Sequence, residues 1–254
     1  LNSTYLFYSS DHGYSQGQFR VTSHKTQIYD HVTRVPCMVT GPGIKAGIEL
    51  APLTAMADIA PTMIDLAGGE VPANMDGHSF KSFLLGGTDD TWRDQNVIEY
   101  HSIRDKPTML AINPHTGRPE PMGAAQFYSQ QPNLFVDDDE NGTVLPNFHP
   151  HDGPNNTFRA LRIVNPALNL NLLYSEFTDV TLPKDWDFAD GTINFFELYN
   201  CTTDPFQMHN IYQKIPTSTQ AILHARIQKT FTCVGQTECA FAPSSWPKIP
   251  PFGL

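Results

Sequence analysis

The chain has 254 residues, of which 40% are hydrophobic, 11% aromatic and only 17% charged. This apolar content is enough to build a core, which excludes wholesale disorder. Sixteen Lys and Arg against 26 Asp and Glu give a net charge of −10, which argues against a nucleic-acid partner. No apolar run approaches the roughly 18 to 20 residues that cross a bilayer, so no membrane span is expected.

The first residues predict a strand over 4–10 with a buried, aromatic run, Tyr5-Leu6-Phe7-Tyr8, typical of a parallel sheet. A fold rarely begins in a central strand, and the sequence starts at Leu1 with no signal peptide. We therefore expect a fragment or a processed chain whose partner is an N-terminal portion of the same protein.

Further elements follow in chain order up to residue 101. A second strand is predicted over 34–40 and ends at Gly41-Pro42-Gly43. An amphipathic helix is predicted over 54–67, either capped by Thr54 or starting at Ala60-Pro61 after a turn. A short helix over 78–85 and a strand over 97–100 come next.

The composition changes over 102–156, which is rich in Pro, Asn, Gln, Gly and acidic residues and predicts a loop-rich insertion. Strands over 158–164, 170–177 and 195–199 and a helix over 217–231 follow. The predicted fold class is α/β, and three regions are expected: 1–101, the insertion 102–156, and a C-terminal subdomain 157–254.

Glycosylation signals and cysteines indicate the compartment. Four Asn-x-Ser/Thr signals occur, at Asn2, Asn141, Asn155 and Asn200. Cys233 and Cys239 lie six positions apart, a spacing that favours a local disulfide in an oxidising compartment. Cys37 is predicted to be a buried thiol, whereas Cys201 is either free or paired with Cys37 or with the missing portion. A secretory route, lysosomal or extracellular, is the prediction.

Asp11-His12-Gly13 follows the first predicted strand directly. In open α/β sheets, ligands bind at the carboxyl ends of strands. A carboxylate and an imidazole on a glycine turn are able to coordinate a divalent cation there. The alternative is a strand-end turn with a polar cap. His101 follows another strand at the same expected edge and is a candidate substrate contact.

The residues around this motif resemble a known family. Ser10-Asp11-His12-Gly13-Tyr14-Ser15-Gln16-Gly17-Gln18-Phe19 is followed by Lys25-Thr26-Gln27-Ile28-Tyr29-Asp30, Arg34-Val35-Pro36 and Gly41-Pro42-Gly43. This order resembles the second half of the sulfatase catalytic domain, in the alkaline-phosphatase-like superfamily. The resemblance is strongest to the N-acetylglucosamine-6-sulfatase group and the heparan 6-O-endosulfatases.

The resemblance continues downstream and skips only about 103–156. It includes Asn74-Met75-Asp76-Gly77-His78-Ser79, Glu197-Leu198-Tyr199-Asn200, Asp204-Pro205 and the loop closed by Cys233 and Cys239. It implies a mixed sheet sandwiched by helices, plus a small C-terminal subdomain of antiparallel sheet and helix. It also implies hydrolysis of sulfate esters on a sulfated sugar or glycan, such as N-acetylglucosamine 6-sulfate.

By this resemblance, Asp11 and His12 match a pair of ligands for one divalent cation, usually Ca²⁺. His12 departs from the commoner Asn, so that its imidazole is either a ligand or a partner of one. Lys25 matches the lysine that contacts the sulfate ester and neutralises charge on its oxygens.

The family's nucleophile is a formylglycine made within a Cys/Ser-x-Pro-x-Arg motif, and these 254 residues contain no such motif. The resemblance therefore implies that the formylglycine and the remaining metal ligands lie on an N-terminal portion, and that this fragment alone is inactive. One alternative is a non-catalytic secreted glycoprotein that uses the scaffold for binding or assembly. Another is a phosphomonoesterase or phosphodiesterase of the same superfamily.

Overall fold

The computed structural model describes residues 2–20, 25–101, 156–178, 188 and 192–243, together with the backbone of four short strands between 110 and 145. The strands are β1 Leu6–Ser9, β2 Cys37–Thr40, β3 Gln95–Tyr100, β4 Leu110–Ile112, β5 Pro119–Pro121, β6 Asp137–Asp138, β7 Val144–Leu145, β8 Thr157–Asn165, β9 Leu170–Thr178 and β10 Phe195–Asn200. The α-helices are α1 Asp30–Thr33, α2 Ile59–Leu66, α3 Lys81–Leu84, α4 Thr217–Thr232 and α5 Gly235–Glu238.

The first strand differs from its prediction in pairing and burial. β1 pairs with β2 in antiparallel fashion, with Leu6 opposite Thr40 and Tyr8 opposite Met38. One face of this pair packs through Phe7 and Val39 onto the cluster around Phe80. The other face is exposed, and Leu6, Tyr8 and Met38 are 51%, 63% and 58% accessible. The prediction of a buried parallel strand was wrong for this chain, because the described residues cover only one face of the pair.

The helix predicted over 54–67 begins late. A 3₁₀ turn, Met56–Asp58, precedes α2, so the alternative start near Ala60 is confirmed. Pro61 lies in the first turn of α2, where its missing N–H breaks no helical hydrogen bond. Asp58 rather than Thr54 organises this end, since its carboxylate accepts a hydrogen bond from the Ala55 N–H at 2.7 Å.

A four-stranded antiparallel sheet in the order β10-β9-β8-β3 forms the centre of the chain. On one face, Leu161, Leu172 and Leu198 pack against α4 through Leu223 and Ile227. The other face packs against residues that lie N-terminal to the sheet in sequence. Its members are Ile28, Phe158, Ala160, Leu173, Tyr199 and Cys201. The predicted strands over 158–164, 170–177 and 195–199 and the helix over 217–231 are confirmed.

Buried ion pairs hold α4 on the sheet. The Arg226 guanidinium donates to the Asp94 carboxylate at 3.1 Å, and both side chains are 3% exposed. The Glu176 carboxylate, wholly buried, pairs with Arg159 at 2.7 Å and receives a hydrogen bond from Tyr174 at 2.6 Å. A buried charge without its partner is strongly destabilising, so the Arg226–Asp94 pair fixes where the helix docks, while the Arg159–Glu176 pair joins β8 to β9 beneath it.

The disulfide between Cys233 and Cys239 is present, with the Cα atoms 5.4 Å apart. Its loop docks on the turn at 73–78, where the Gly235 N–H donates to the Asp76 carboxylate at 2.7 Å. Cys37 and Cys201 are both unpaired. Cys37 is exposed at the start of β2, so its prediction as a buried thiol was wrong, whereas Cys201 is buried. No helix in the described ranges is long and apolar enough to cross a membrane.

Most of the predicted insertion 102–156 lies outside the described residues, apart from the β4–β5 and β6–β7 hairpin backbones and Asn156. The boundaries at 101 and 156 stay predictions. β3, which precedes the insertion, is hydrogen-bonded to β8, which follows it, with Tyr100 opposite Phe158.

Candidate active site

The Asp11-His12-Gly13 turn follows β1 and is closed by its own polar groups. The Ser10 hydroxyl donates to the His12 carbonyl at 2.8 Å, and the His12 N–H donates to the Asp11 carboxylate at 3.0 Å. The Gly13 N–H donates to the Val32 carbonyl at 2.6 Å, which fixes the turn against α1. A Cβ at Gly13 would clash with the His31 carbonyl oxygen, so this close approach requires glycine.

The His12 imidazole is the meeting point of the predicted site. Its Nδ1 lies 2.7 Å from the Gly13 carbonyl oxygen, which only accepts, so Nδ1 carries the proton. Its Nε2 lies 2.7 Å from Lys25 Nζ and 3.1 Å from an Asp11 carboxylate oxygen. Nε2 therefore presents a lone pair beside a carboxylate. The Asp11 carboxylate oxygen and Nε2 are two neighbouring acceptors, and such a pair favours a nearby positive charge. The Lys25 ammonium supplies that charge.

The donor set around His12 fits part of a cation site. A metal-ligating histidine typically donates its other ring N–H to a carbonyl, as His12 does to Gly13. The Asp11 side chain is 80% exposed, so its oxygens are accessible. Calcium requires six to eight oxygen ligands. No group of three or more His, Cys, Asp or Glu side chains in the described ranges is placed to hold a metal, so Asp11 and His12 would supply only part of the coordination.

Four contacts position the segment that carries Lys25. The Ser15 hydroxyl lies 3.0 Å from His31 Nε2, and Ser15 is fully buried. The Asn156 amide donates to the Thr26 carbonyl at 3.0 Å. The Asp30 carboxylate pairs with Arg162 of β8 at 3.2 Å, and the Asp30 N–H donates to Gln207 Oε1 at 2.9 Å. The C-terminal half of the chain thus fixes the conformation of residues 26–31, next to Lys25.

The other predicted residues belong to other parts of the chain. His101 follows β3 at the end of the sheet where Asn156 lies, because Tyr100 pairs with Phe158. Asn2 is exposed near β1, whereas Asn200 is half-buried and accepts a hydrogen bond from the Thr202 N–H at 3.1 Å. Asn141 and Asn155 lie outside the described residues.

Sequence reasoning did not single out a cleft beside the segment 25–29. It lies between that segment and β9 and β10, has a volume of about 250 Å³, and is named the Glu197 cleft below. Its lining includes Gln27, Asn156, Phe177, Asn194, Phe195 and Glu197. The available signal was the alternation in β10, which puts the charged Glu197 on the same face as Phe195 and Tyr199.

With the fold and the residues around His12 described, the chain can be compared with known proteins. Residues 17–136 match the family described as N-sulphoglucosamine sulphohydrolase, C-terminal. The N-acetylglucosamine-6-sulfatase of Capra hircus is 32% identical over 242 residues, which cover 93% of this chain and 36% of that protein. The extracellular sulfatase SULF-1 homolog of Drosophila melanogaster is 36% identical over 114 residues, 44% of this chain and 10% of that protein.

A solved structure of a 2-O glycosaminoglycan sulfatase superposes with a TM-score of 0.53 at 22% identity, covering 93% of this chain and 40% of that one. Likeness at this identity shows the fold, which is the α/β fold of the alkaline-phosphatase-like enzymes. The chain belongs to the sulfatase family and matches the C-terminal region of its members. The chain spans about a third of the length of the relatives that match nearly all of it.

Proposed function

We propose that this chain supplies the C-terminal part of an enzyme that hydrolyses sulfate esters on a sulfated sugar or glycan. The observation that carries the proposal is the convergence of Asp11, His12 and Lys25 around one imidazole nitrogen, with Lys25 13 positions from His12. An ammonium beside a carboxylate and an imidazole is suited to hold an anionic ester against a cation. The family supports sulfate rather than another anion.

The role proposed for Lys25 is electrostatic. An exposed ammonium next to a candidate cation site contacts the sulfate oxygens and offsets charge that builds up on them and on the leaving oxygen. Asp11 and His12 Nε2 would hold a Ca²⁺ ion, which supplies further neutralisation of the ester when bound. The single lone pair of Nε2 would bind either the ammonium or the cation, so a bound cation would leave the Lys25 ammonium available to contact the ester.

We propose that an N-terminal portion of the same protein completes the site with the formylglycine nucleophile and the remaining metal ligands. The motif that carries a formylglycine is absent from these 254 residues. The exposed face of Leu6, Tyr8 and Met38 supports the same proposal, because none of the described residues covers it. Because these side chains are only half-exposed, covering what remains favours association by about 1 kcal/mol for each.

The proposed location is lysosomal or extracellular. The four glycosylation signals and the disulfide between Cys233 and Cys239 fit an oxidising, glycosylating route.

The test is an assay of the full protein, with the peptide that carries the formylglycine identified by mass spectrometry. We expect release of sulfate from N-acetylglucosamine 6-sulfate or a sulfated glycosaminoglycan oligosaccharide, dependent on Ca²⁺. Turnover of phosphate monoesters or diesters in preference to sulfate esters would favour the phosphoesterase alternative. A full protein without formylglycine and without turnover would favour the non-catalytic scaffold.

A further inference from the structure

A row of aromatic rings crosses the end of the central sheet nearest to Lys25. Tyr100, Phe158, Phe177 and Phe195 lie opposite one another on four adjacent strands. Successive ring centroids are 5.6, 5.6 and 5.7 Å apart. Phe195, at the end of the row, is 51% exposed and lines the Glu197 cleft together with Phe177. Phe177 and Phe195, the two rings of the row that line the cleft, give it an apolar wall.

One of the residues that line the cleft, Glu197, has a buried oxygen that lacks a partner in the described part of the chain, and a second such atom lies on the neighbouring strand. The Glu197 oxygen Oε2 is buried and has no hydrogen-bond partner among the described residues. Ser175 lies directly opposite Glu197 on β9, and its buried hydroxyl is likewise unpartnered within the described ranges. Buried polar atoms left unpaired are costly, typically about 1 to 3 kcal/mol each. A ligand with hydroxyl groups in the cleft would satisfy the Glu197 oxygen, since Glu197 is one of the lining residues.

The rim adds amides. Gln27, Asn156 and Asn194 line the cleft, and each amide offers both a donor and an acceptor. Asn156 uses its NH₂ on the Thr26 carbonyl, which leaves its oxygen to accept. A ligand with adjacent hydroxyl groups, each of which donates and accepts hydrogen bonds, is matched by these amides. An aromatic wall with a few convergent polar groups is the usual composition of a small-molecule site.

We propose that the Glu197 cleft is a binding subsite for an uncharged pyranose ring of the glycan, next to the sulfated ring, with Glu197 and Asn194 as its hydrogen-bonding residues. The ligand class rests on the proposed function. Gln27 is two residues from Lys25, so the two Cα atoms are within about 7 Å of each other. A ring in the cleft is thus placed beside an ester held by Lys25.

Charge decides which ring fits. Among the described residues that line the cleft none is basic, and Glu197 is acidic. A sulfated or carboxylated ring would meet no counter-charge there, whereas a neutral hexose or N-acetylhexosamine meets only hydrogen-bonding groups and apolar surface. The cleft therefore selects the neutral neighbour and leaves the sulfated ring to the Lys25 side.

The protonation of Glu197 fits a neutral ligand. Burial raises the pKa of Glu197 to about 7. The hydrogen bond with the Tyr199 hydroxyl lowers that pKa and so offsets part of the effect of burial. Two phenols face this carboxyl, Tyr29 from the adjacent segment and Tyr199 from β10, and burial together with the Glu197 charge raises the pKa of both. Ser175 faces it from β9. With a pKa near 7, part of the Glu197 carboxyl is protonated near neutral pH, and that form donates a hydrogen bond as well as accepting one.

The experiment measures binding of an unsulfated neutral disaccharide, N,N′-diacetylchitobiose, to the full protein by NMR titration. Two variants change the cleft. Glu197→Leu keeps the side-chain volume and removes the polar atoms, and Asn194→Ala alters an exposed rim position while keeping the backbone hydrogen bond to the Phe177 carbonyl. Glu49→Gln, on an exposed loop outside the cleft, is the matched control. Thermal unfolding of each variant is recorded first.

We expect each cleft variant to weaken the affinity about tenfold, the effect of one well-made hydrogen bond, with Glu49→Gln equal to wild type. If Glu197→Leu does not fold, Asn194→Ala decides. No measurable binding to the wild type, or equal binding by wild type and cleft variants, would overturn the subsite. Wild-type protein that binds the disaccharide at the cleft and releases no sulfate keeps the subsite and overturns the proposed function. Sulfate release by a protein whose cleft variants bind the disaccharide as the wild type does keeps the proposed function and overturns the subsite.

Discussion

Lys25 Nζ lies 2.7 Å from Nε2 of His12, and the same nitrogen lies 3.1 Å from the Asp11 carboxylate. Because Nδ1 of His12 donates to the Gly13 carbonyl, Nε2 is the lone-pair nitrogen and the lysine is its donor. The pairing explains how an exposed lysine on a loop acquires a fixed position. It also means that a cation bound at Nε2 of His12 takes the place of the ammonium on that lone pair.

The Lys25→Met variant of the full protein tests the role of that ammonium. We expect kcat for sulfate release to fall on the order of 100-fold or more, the usual effect of removing one preorganised charge from a developing anion. The fold should be unaffected because Lys25 is exposed. Lys45→Met, at another exposed lysine, is the control and should keep wild-type turnover. Turnover of Lys25→Met within threefold of wild type would remove Lys25 from the site.

The Asp11→Asn variant tests the cation site. Loss of one carboxylate charge should weaken Ca²⁺ binding by more than about tenfold, since even indirect partners of metal ligands contribute about 10- to 100-fold. Titration calorimetry on the full protein measures the affinity. Asp90→Asn, an exposed carboxylate outside the site, should bind Ca²⁺ as the wild type does. Equal affinities of Asp11→Asn and Asp90→Asn would exclude Asp11 as a ligand.

Gly13→Ala tests the packing of the turn on α1. The added methyl group meets the His31 carbonyl, so the turn or the helix has to shift. We expect a loss of about 1 to 3 kcal/mol in the free energy of unfolding, typical of overpacking, and a further loss of turnover because His12 moves. Urea unfolding gives the first value. Gly69→Ala, whose Cβ would lie 3.1 Å from the Ile64 side chain, is the control and should cost much less.

Glu197→Gln has a pH-dependent effect on stability. The ordinary pKa of 4.5 applies to the unfolded chain, and the folded pKa is about 7. Between these values the unfolded state has lost the proton and the folded state retains it, so wild-type stability falls as pH rises from 4.5 to 7. The total is about 3 kcal/mol at most.

The Gln variant does not titrate and should therefore be more stable than wild type above pH 7 and no more stable below pH 4. Denaturant unfolding at several pH values measures the difference, with Glu49→Gln as the control. A stability difference that is independent of pH would contradict the raised pKa of Glu197.

The disulfide fixes the loop that docks on the turn at 73–78. In the chain-entropy model, a loop this short contributes about 2 kcal/mol. Replacing Cys233 and Cys239 by Ser should lower the free energy of unfolding by about that amount. It should also speed hydrogen exchange at the Gly235 and Gln236 amides, which donate to Asp76 and Ala73. Unchanged exchange at these amides would show that the hydrogen bonds hold the loop without the disulfide.

Local patterns predicted the C-terminal elements well. The alternation of apolar residues over 158–177 and 195–199 identifies strands, and the 3.6-residue period over 217–231 identifies the helix, because each signal is repeated over several residues. The start of α2 was the uncertain point. Thr54 and Pro61 gave competing signals there, and the side chain of Asp58, which binds residues distant in sequence, decided between them.

Burial was harder to predict, because it depends on what covers a strand. Cys37 lies within an apolar run and on the same face of the β1–β2 pair as Val39, yet it is exposed, because it is the first residue of β2 and lies opposite Ser9 at the end of the pair. The Glu197 cleft was not predicted for a similar reason. Gln27, Phe177 and Glu197 come from three separate segments, and no pattern within one segment reports that they share a wall.

The sequence by itself determined the family, the order of the elements and the three residues Asp11, His12 and Lys25, because motif spacing and periodicity are local properties. Only the tertiary structure decided that these three meet at one nitrogen, that the C-terminal half holds the lysine segment in place, and that Glu197 lies in a cleft beside that segment. Those relations join residues up to 177 positions apart, such as Asp30 and Gln207. They follow from the packing of the whole sheet, which no local pattern contains.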